Sequence, residues 1–390
     1  MTAGKAIVIA ARRTAIGRVG GLHKARRLEH LAAPLIRAVL ADAKLDATAI
    51  GEVIIGNAAG GGGNPARLIA LAAGLPESIP AYTIDRQCAS GLDAIVAAAR
   101  LIETGGAQAV IAGGAESPST APWRVEKPAN LYTQHPRFYG EAPFTPAQMN
   151  SPDMIQAAEN VARECSISRE RQDAFALESH RRAVAAQQAG LFAEEILSLG
   201  SAPAERCDEG PRTTMSAKLL ARMPPLLPGG TVTAGNSCAI NDGAALALLV
   251  SEDLHRQLGA PPGLRLISAA SAGIAPRILG LASVPALETA CRRAGLAPAD
   301  LTEIELNEAS ASQALATMDA LAINPHMVNQ DGGALAFGHA YGASGAVLVA
   351  RLYARFIRNH TRLTRGPVAA MIAAAGGLGA AAVFEPISLL

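Results

Sequence analysis

Aromatic residues are scarce in this 390-residue chain, which has seven Phe, five Tyr and a single Trp. A core so poor in rings is filled by aliphatic and small side chains, as suits α/β layers in which Gly and Ala let helices approach a sheet closely. Cysteine is sparse too. The five thiols (Cys88, Cys165, Cys207, Cys238, Cys291) include no Cys-x-x-Cys pair, so neither a disulfide framework nor a metal site such as a zinc centre fits, and a reducing cytoplasm is the expected setting. Charge of one sign is missing: 34 basic and 33 acidic residues leave a formal +1. That offers no footprint for nucleic acid or an anionic membrane. No apolar run reaches spanning length. Met1-Thr-Ala-Gly-Lys5 leads straight into a plausible strand at 6–11, without a signal pattern.

Half of the residues are apolar, and the length predicts two or three domains. The most informative stretch is 85–101. An apolar run, Ile79 to Ile84, reads as a strand; a polar turn follows, then Ala-rich sequence with Leu92, Ile95, Val96 and Ala99 at helical spacing. Cys88 sits on the turn, where unpaired N–H groups and the positive end of the helix dipole favour a thiolate. Small neighbours (Ala89, Ser90, Gly91) leave room for a substrate. The plainer reading is a buried cysteine acting as a small hydrophobe.

A repeat weighs against that reading. Leu296, Leu301, Ile304 and Leu306 each lie 251 residues after Leu45, Ile50, Val53 and Ile55. The same offset carries Cys88 to His339, Gly91 to Gly342, and Ala99-Arg100-Leu101 to Ala350-Arg351-Leu352. Two halves of one topology are expected, each a helix–strand–turn–helix unit on a mostly buried sheet. A two-fold between them would bring Cys88 and His339 to equivalent helix N-termini facing one another. Between the halves, residues 118–238 have another texture: Pro-rich loops, a charged helical segment over about 152–190, and a strand-like Thr231-Val-Thr-Ala-Gly235.

His339, flanked by glycines, could take the Cys88 proton or donate to an oxyanion, or be a structural histidine. Asn307-Glu308-Ala309 follows a strand, at the end where α/β sheets place ligands, and either positions a water or carbonyl or simply holds its loop together. The runs Gly60–Gly63 and Gly376-Gly377-Leu378-Gly379 lack a P-loop or dinucleotide fingerprint. Both read as close backbone approach, the second lending an N–H to an oxyanion hole.

Taken together, these stretches resemble the thiolase family (acetyl-CoA C-acyltransferases). Arg86-Gln-Cys-Ala-Ser-Gly91, Gly113-Gly-Ala-Glu-Ser117, Gly235-Asn-Ser-Cys-Ala-Ile-Asn-Asp-Gly-Ala244, Asn307-Glu-Ala309 and Gly338-His339 are similar to its motifs in order, as are Ala158–Ala162 and Arg171–Ala176 in the insertion. The resemblance implies a five-layer αβαβα fold: one half at 1–117 plus 239–262, a loop domain at 118–238, and the other half at 263–390. It implies coenzyme A thioesters as substrates and no cofactor. Cys88 would carry the acyl group, with His339 activating it and Asn307 holding a water. The N–H groups of Cys88 and Ala375 would form an oxyanion hole, and Met154, Ala234 and Cys238 would line the pantetheine. A homodimer or homotetramer is implied as well.

This chain departs from the family where chemistry is concerned. The family's second cysteine, which moves the substrate's α-proton, aligns with Ala373, and Cys291 is the last cysteine in the chain. Ala340-Tyr341, Ser310, Asp153-Met154-Ile155 and Cys238 also replace family residues. Three outcomes follow: an acyltransferase with altered proton handling, a non-condensing protein of this fold that binds coenzyme A or a partner, or an acyl-CoA thioesterase.

Overall fold

The computed structural model describes residues 4–130, 132–140, 142–149, 152–359 and 366–387. Strand β1 (Ile7–Arg13) is buried almost throughout, and the short β2 (Gly17–Arg18) follows. Helix α1 (Leu28–Ala43) buries Leu31, Leu35, Ile36 and Val39 at helical spacing and ends at Lys44 in the left-handed conformation. Strand β3 (Glu52–Gly56) leads to α2 (Pro65–Ala72), which starts with Pro65 after an Asn64 cap. Then come β4 (Ala81–Ile84), α3 (Ser90–Glu103) and β5 (Ala109–Glu116).

The insertion begins with a hairpin, β6 (Arg124–Glu126) and β7 (Arg137–Tyr139), where the sequence suggested only loops. Its charged segment forms two helices, α4 (Met154–Glu164) and α5 (Arg169–Gln188), broken at Ser166, whose φ is 54°. The Ser168 side chain caps the second. The short α6 (Ala217–Ala221) follows. The strand expected at 231–235 does not form. The Glu159 carboxylate accepts from the backbone N–H of Thr231 and Val232, and Asn236 from that of Thr233, so side chains use the donors a ladder would need.

The chain returns through β8 (Asn241–Val250) and α7 (Glu252–Gln257). The second half comprises β9 (Gly263–Gly273), α8 (Ser283–Arg293), β10 (Glu303–Leu306), α9 (Ala311–Ala320), α10 (Ala334–Phe337), α11 (Tyr341–Tyr353), β11 (Val368–Ala374) and β12 (Leu378–Ile387). The strands run in the order β10-β11-β12-β9-β1-β8-β5-β3-β4. Within the sheet the halves join where β1 pairs β9, Ile7 with Arg265 and Val8 with Leu264.

Alternation along the strands sorts the core into layers. Val110, Ala112, Val368, Ala370 and Ile372 face a central core that holds Leu92 and Ile95 of α3 and Val347 and Leu348 of α11. Ala109 and Ile111 face α1 and α2, whereas Ala369 and Met371 face α8 and α9. The fold is α/β, with two helices sandwiched between two sheet halves and further helices outside. The repeat is real at the level of elements: α3 begins at Ser90 and α11 at Tyr341, 251 residues on.

At the centre the two repeated helices touch through glycine. A Cβ on Gly91 would lie 2.5 Å from the carbonyl oxygen of Gly342, its own counterpart in the other half, and one on Gly345 would lie 2.6 Å from the Leu92 nitrogen. Gly91→Ala should therefore lower stability by about 1–3 kcal/mol, the usual result of overpacking. A lower urea midpoint with an unchanged m-value would show it.

Candidate active site

Cys88 stands two residues before α3, on a turn bent by Gln87, whose φ is +52°. A non-glycine residue there is strained and persists only where its surroundings fix it. They do: Arg86 pairs with Asp93 at 2.6 Å, the Arg86 N–H donates to Ser90 Oγ, and the Gln87 N–H donates to Asp85. The backbone amides of Ala375 and of Cys88 itself favour charge on the sulfur. Ala375 is buried just beyond β11, before Gly376 and Gly377, both at φ +81°. A Cβ on Gly377 would lie 2.3 Å from the Ile274 carbonyl oxygen, so the close approach read from this run is present.

The expectation of an acidified thiol is corrected. Burial pushes Cys88 up to about 12, the Glu116 carboxylate adds to the rise, and the two amide donors only partly offset it. The dipole argument treated the turn as exposed, whereas Cys88 is 8 % exposed and desolvation of the charged form dominates.

Glu116 is a residue whose role the sequence did not reveal, although its motif was noticed. Its carboxylate accepts from Asn57 Nδ2 and from the N–H groups of Ala58, Ala59 and Gly342. It thereby ties the turn after β3 to the first turn of α11.

His339 stands two residues before α11, in the place that Cys88 takes before α3. Gly338, at φ +103°, leaves no space for a Cβ, which would sit 2.1 Å from Asn241 Oδ1. The His339 N–H donates to the Ala239 carbonyl, and the Asn241 N–H donates to the His339 carbonyl. Its ring lies edge-on to Tyr341 and pairs through Nδ1 with Ser344 Oγ at 2.6 Å. Burial pulls its pKa down to about 4, so the ring is neutral at ordinary pH. Nε2 has no hydrogen-bond partner among the described residues.

Asn307, directly after β10, is 2 % exposed, and its Nδ2 also lacks a partner among the described residues. It shares a small cavity with Phe337, Gly338 and Ser344. The neighbouring Glu308 holds the loop, accepting from Ser179, Asn329 and the Leu335 N–H. The loop-holding reading of Asn307-Glu308 thus applies at Glu308.

The strand of backbone from Ser237 to Ile240 threads between these loops. Ser237 bridges Ser310, the Cys238 N–H donates to the Ala309 carbonyl, and Ile240 bridges His339. Cys238 is half-buried against the core that contains Cys88, and a charge on either thiol disfavours one on the other. Met154 is half-buried at the start of α4, and Ala234 is exposed on the 233–235 turn.

With this geometry in view, the comparisons with known proteins are specific. The family described as "Thiolase, N-terminal domain" matches residues 6–253, and "Thiolase, C-terminal domain" matches 261–386. The chain belongs to the thiolase family. A Staphylococcus epidermidis protein named "Putative acetyl-CoA C-acetyltransferase VraB" is 41 % identical to this thiolase over 381 residues, covering 97 % of this chain and 98 % of its own. A Staphylococcus aureus protein of the same name is 40 % identical over 382 residues, covering 97 % and 99 %. The crystal structure of the Bacillus anthracis acetyl-CoA acetyltransferase superposes with a TM-score of 0.91 at 30 % identity, covering 99 % of this chain and all of that one. Thiolases are acyltransferases, and this chain is an enzyme of that class.

The two pKa shifts set a pH dependence. A thiol raised to about 12 stays protonated at neutral pH, so Cys88 alkylation by iodoacetamide should climb about tenfold per pH unit and continue past pH 9, where a free cysteine levels off. A ring lowered to about 4 stays neutral from pH 5 upward, so protonation of His339 should not alter the profile in that range.

Proposed function

We propose that this thiolase accepts an acyl group from an acyl-CoA on Cys88 and passes it to coenzyme A or a second acyl-CoA. The observation that carries the reading is a buried thiol whose charge is favoured by the backbone amides of Ala375 and Cys88, in a molecule whose His339 Nε2 and Asn307 Nδ2 are both buried without a partner among the described residues.

In this reading His339 takes the Cys88 proton only as the sulfur attacks the thioester, so the costly buried thiolate never accumulates. Ser344 Oγ can donate or accept, which lets the ring carry its proton on either nitrogen. The N–H groups of Ala375 and Cys88 stabilise the developing oxyanion. Asn307, with a bound water, and His339 serve the oxygen of the second substrate. Met154, Ala234 and Cys238 line the approach of the pantetheine arm.

Ala373, the penultimate residue of β11, lies opposite Gly379 and contributes only a methyl group. Loss of a general base is worth ~10²–10⁴ in rate, or about 3–5 kcal/mol of barrier. Ala373 therefore also supports a second reading, in which water takes the acyl group and the enzyme acts as a thioesterase. Steady release of coenzyme A without a ketoacyl product would mark it.

The five scattered cysteines of the sequence favour a reducing cytoplasm. No helix among the described residues is long and apolar enough to cross a membrane. The partner we infer is a second copy of the chain. Strand β4 ends the sheet and runs directly into the Cys88 turn, so pairing at that edge would back the site.

Incubation with acetyl-CoA should add one acetyl group to the Cys88 peptide, seen by mass spectrometry; a folded enzyme without that adduct would refute the acyl-transfer reading. Cys88→Ala should abolish the adduct, and His339→Ala should slow it by about 10²–10⁴-fold. Ala373→Cys should raise the yield of ketoacyl product from acetyl-CoA, and no gain in a folded variant would point to another acceptor.

A further inference from the structure

Joining two acyl groups through carbon requires a proton to leave, or on cleavage return to, the carbon beside the thioester carbonyl. His339 already serves Cys88. The group that moves the carbon-bound proton must be titratable and lie close to the Cys88 sulfur. Glu116 and Asp85 carry charges that raise Cys88, and Cys88 in turn raises Cys238, so these three groups are the candidates. Glu116 is completely buried and has its carboxylate committed to four donors, Asn57 Nδ2 and the N–H groups of Ala58, Ala59 and Gly342. Asp85 holds the Gln87 backbone and side chain on the outer side of the turn.

Cys238 is placed differently. Its backbone is fixed between the loop carrying Asn307 and the turn carrying His339, through the Ala309 carbonyl on one side and the Ala239 and Ile240 contacts with His339 on the other. Its side chain packs on the core that contains Cys88. Ala239 and Ile240, next along the chain, are exposed, so this segment lies at the open side of the site. The unpartnered Asn307 Nδ2 and His339 Nε2 belong to the same two loops. Ala373 supplies no competing group.

We propose that Cys238 is the acid–base residue for the substrate carbon, an assignment that rests on the acyl-transfer reading above. In cleavage, the Cys88 proton passes to His339, the sulfur bonds to the ketone carbon, and the carbon–carbon bond breaks. The electron pair left on carbon takes the proton of the Cys238 thiol. Cys238, now a thiolate, removes the proton of an incoming coenzyme A thiol, whose sulfur displaces Cys88; Cys88 recovers its proton from His339. Condensation is the reverse, with the Cys238 thiolate removing the α-proton. Burial keeps the resting thiol protonated, the form cleavage needs.

The test compares two half-reactions with acetyl-CoA: acetylation of Cys88, read by mass, and uptake of deuterium into the acetyl group in D₂O, read by NMR. In Cys238→Ala and in the closer-fitting Cys238→Ser, exchange should fall by about 10²–10⁴-fold relative to acetylation. Adding Ala373→Cys to either variant should restore part of it. Exchange that is unchanged in both variants overturns the assignment. So does exchange that falls only in step with acetylation, since Cys238 would then merely hold the substrate. A wild-type enzyme that acetylates but never exchanges overturns it too. A wild type that takes no acetyl group removes the acyl-transfer reading itself, and this assignment with it.

Discussion

The close approach of two helix N-termini underlies the organisation of this molecule. Helices α3 and α11 meet where Gly91 and Gly342 stand, equivalent positions of a duplicated unit in contact with each other. A residue that touches its own repeat lies on the axis relating the halves. Because Cys88 and His339 each stand two residues before these helices, that contact fixes the site between the halves. Gly114 is part of the same joint, since a Cβ on it would lie 2.2 Å from the Gly342 carbonyl oxygen. Glu116, two residues further on, closes it with a hydrogen bond to the Gly342 N–H.

Electrostatics in the site follow from how dry it is. A thiol forced upward and an imidazole forced downward are both kept neutral by the same desolvation. A neutral pair avoids the cost of a buried charge at rest, and in the proposed reaction charge would appear only when a substrate oxygen can share it with the Ala375 and Cys88 amides. Proton transfer in step with bond formation is the chemistry such a pocket favours over a standing thiolate.

Much of this was legible in the sequence because it depends on local pattern. The 251-residue register survived as equal starting points of α3 and α11, and Gly377 was readable as a close approach. The acidity of Cys88 was not legible, because its burial comes from residues distant in sequence. The 231–235 segment misled for a similar reason: β-branched Thr231, Val232 and Thr233 suit a strand, but Glu159 of α4 captures the donors of the first two and Asn236 that of Thr233. Nor could Ser344 be distinguished from any small residue in its stretch until it was seen against His339 Nδ1.

The repeat also shows where symmetry was abandoned. Arg100 is exposed, whereas its counterpart Arg351 is buried with Glu305 at 3.1 Å and Glu195 at 3.6 Å, and its guanidinium lies over the Phe192 ring. Arg13 of β1 reaches the same place, pairing with Glu195 and Asp208, both at 2.7 Å. One half contributes Arg13, the other Arg351 and Glu305, and the insertion Glu195, Asp208 and Phe192. Removing any of the three units would strand buried charge, which costs about 3–5 kcal/mol for each broken pair. This chain should therefore melt in one cooperative transition, with no half or insertion persisting as an autonomous foldon.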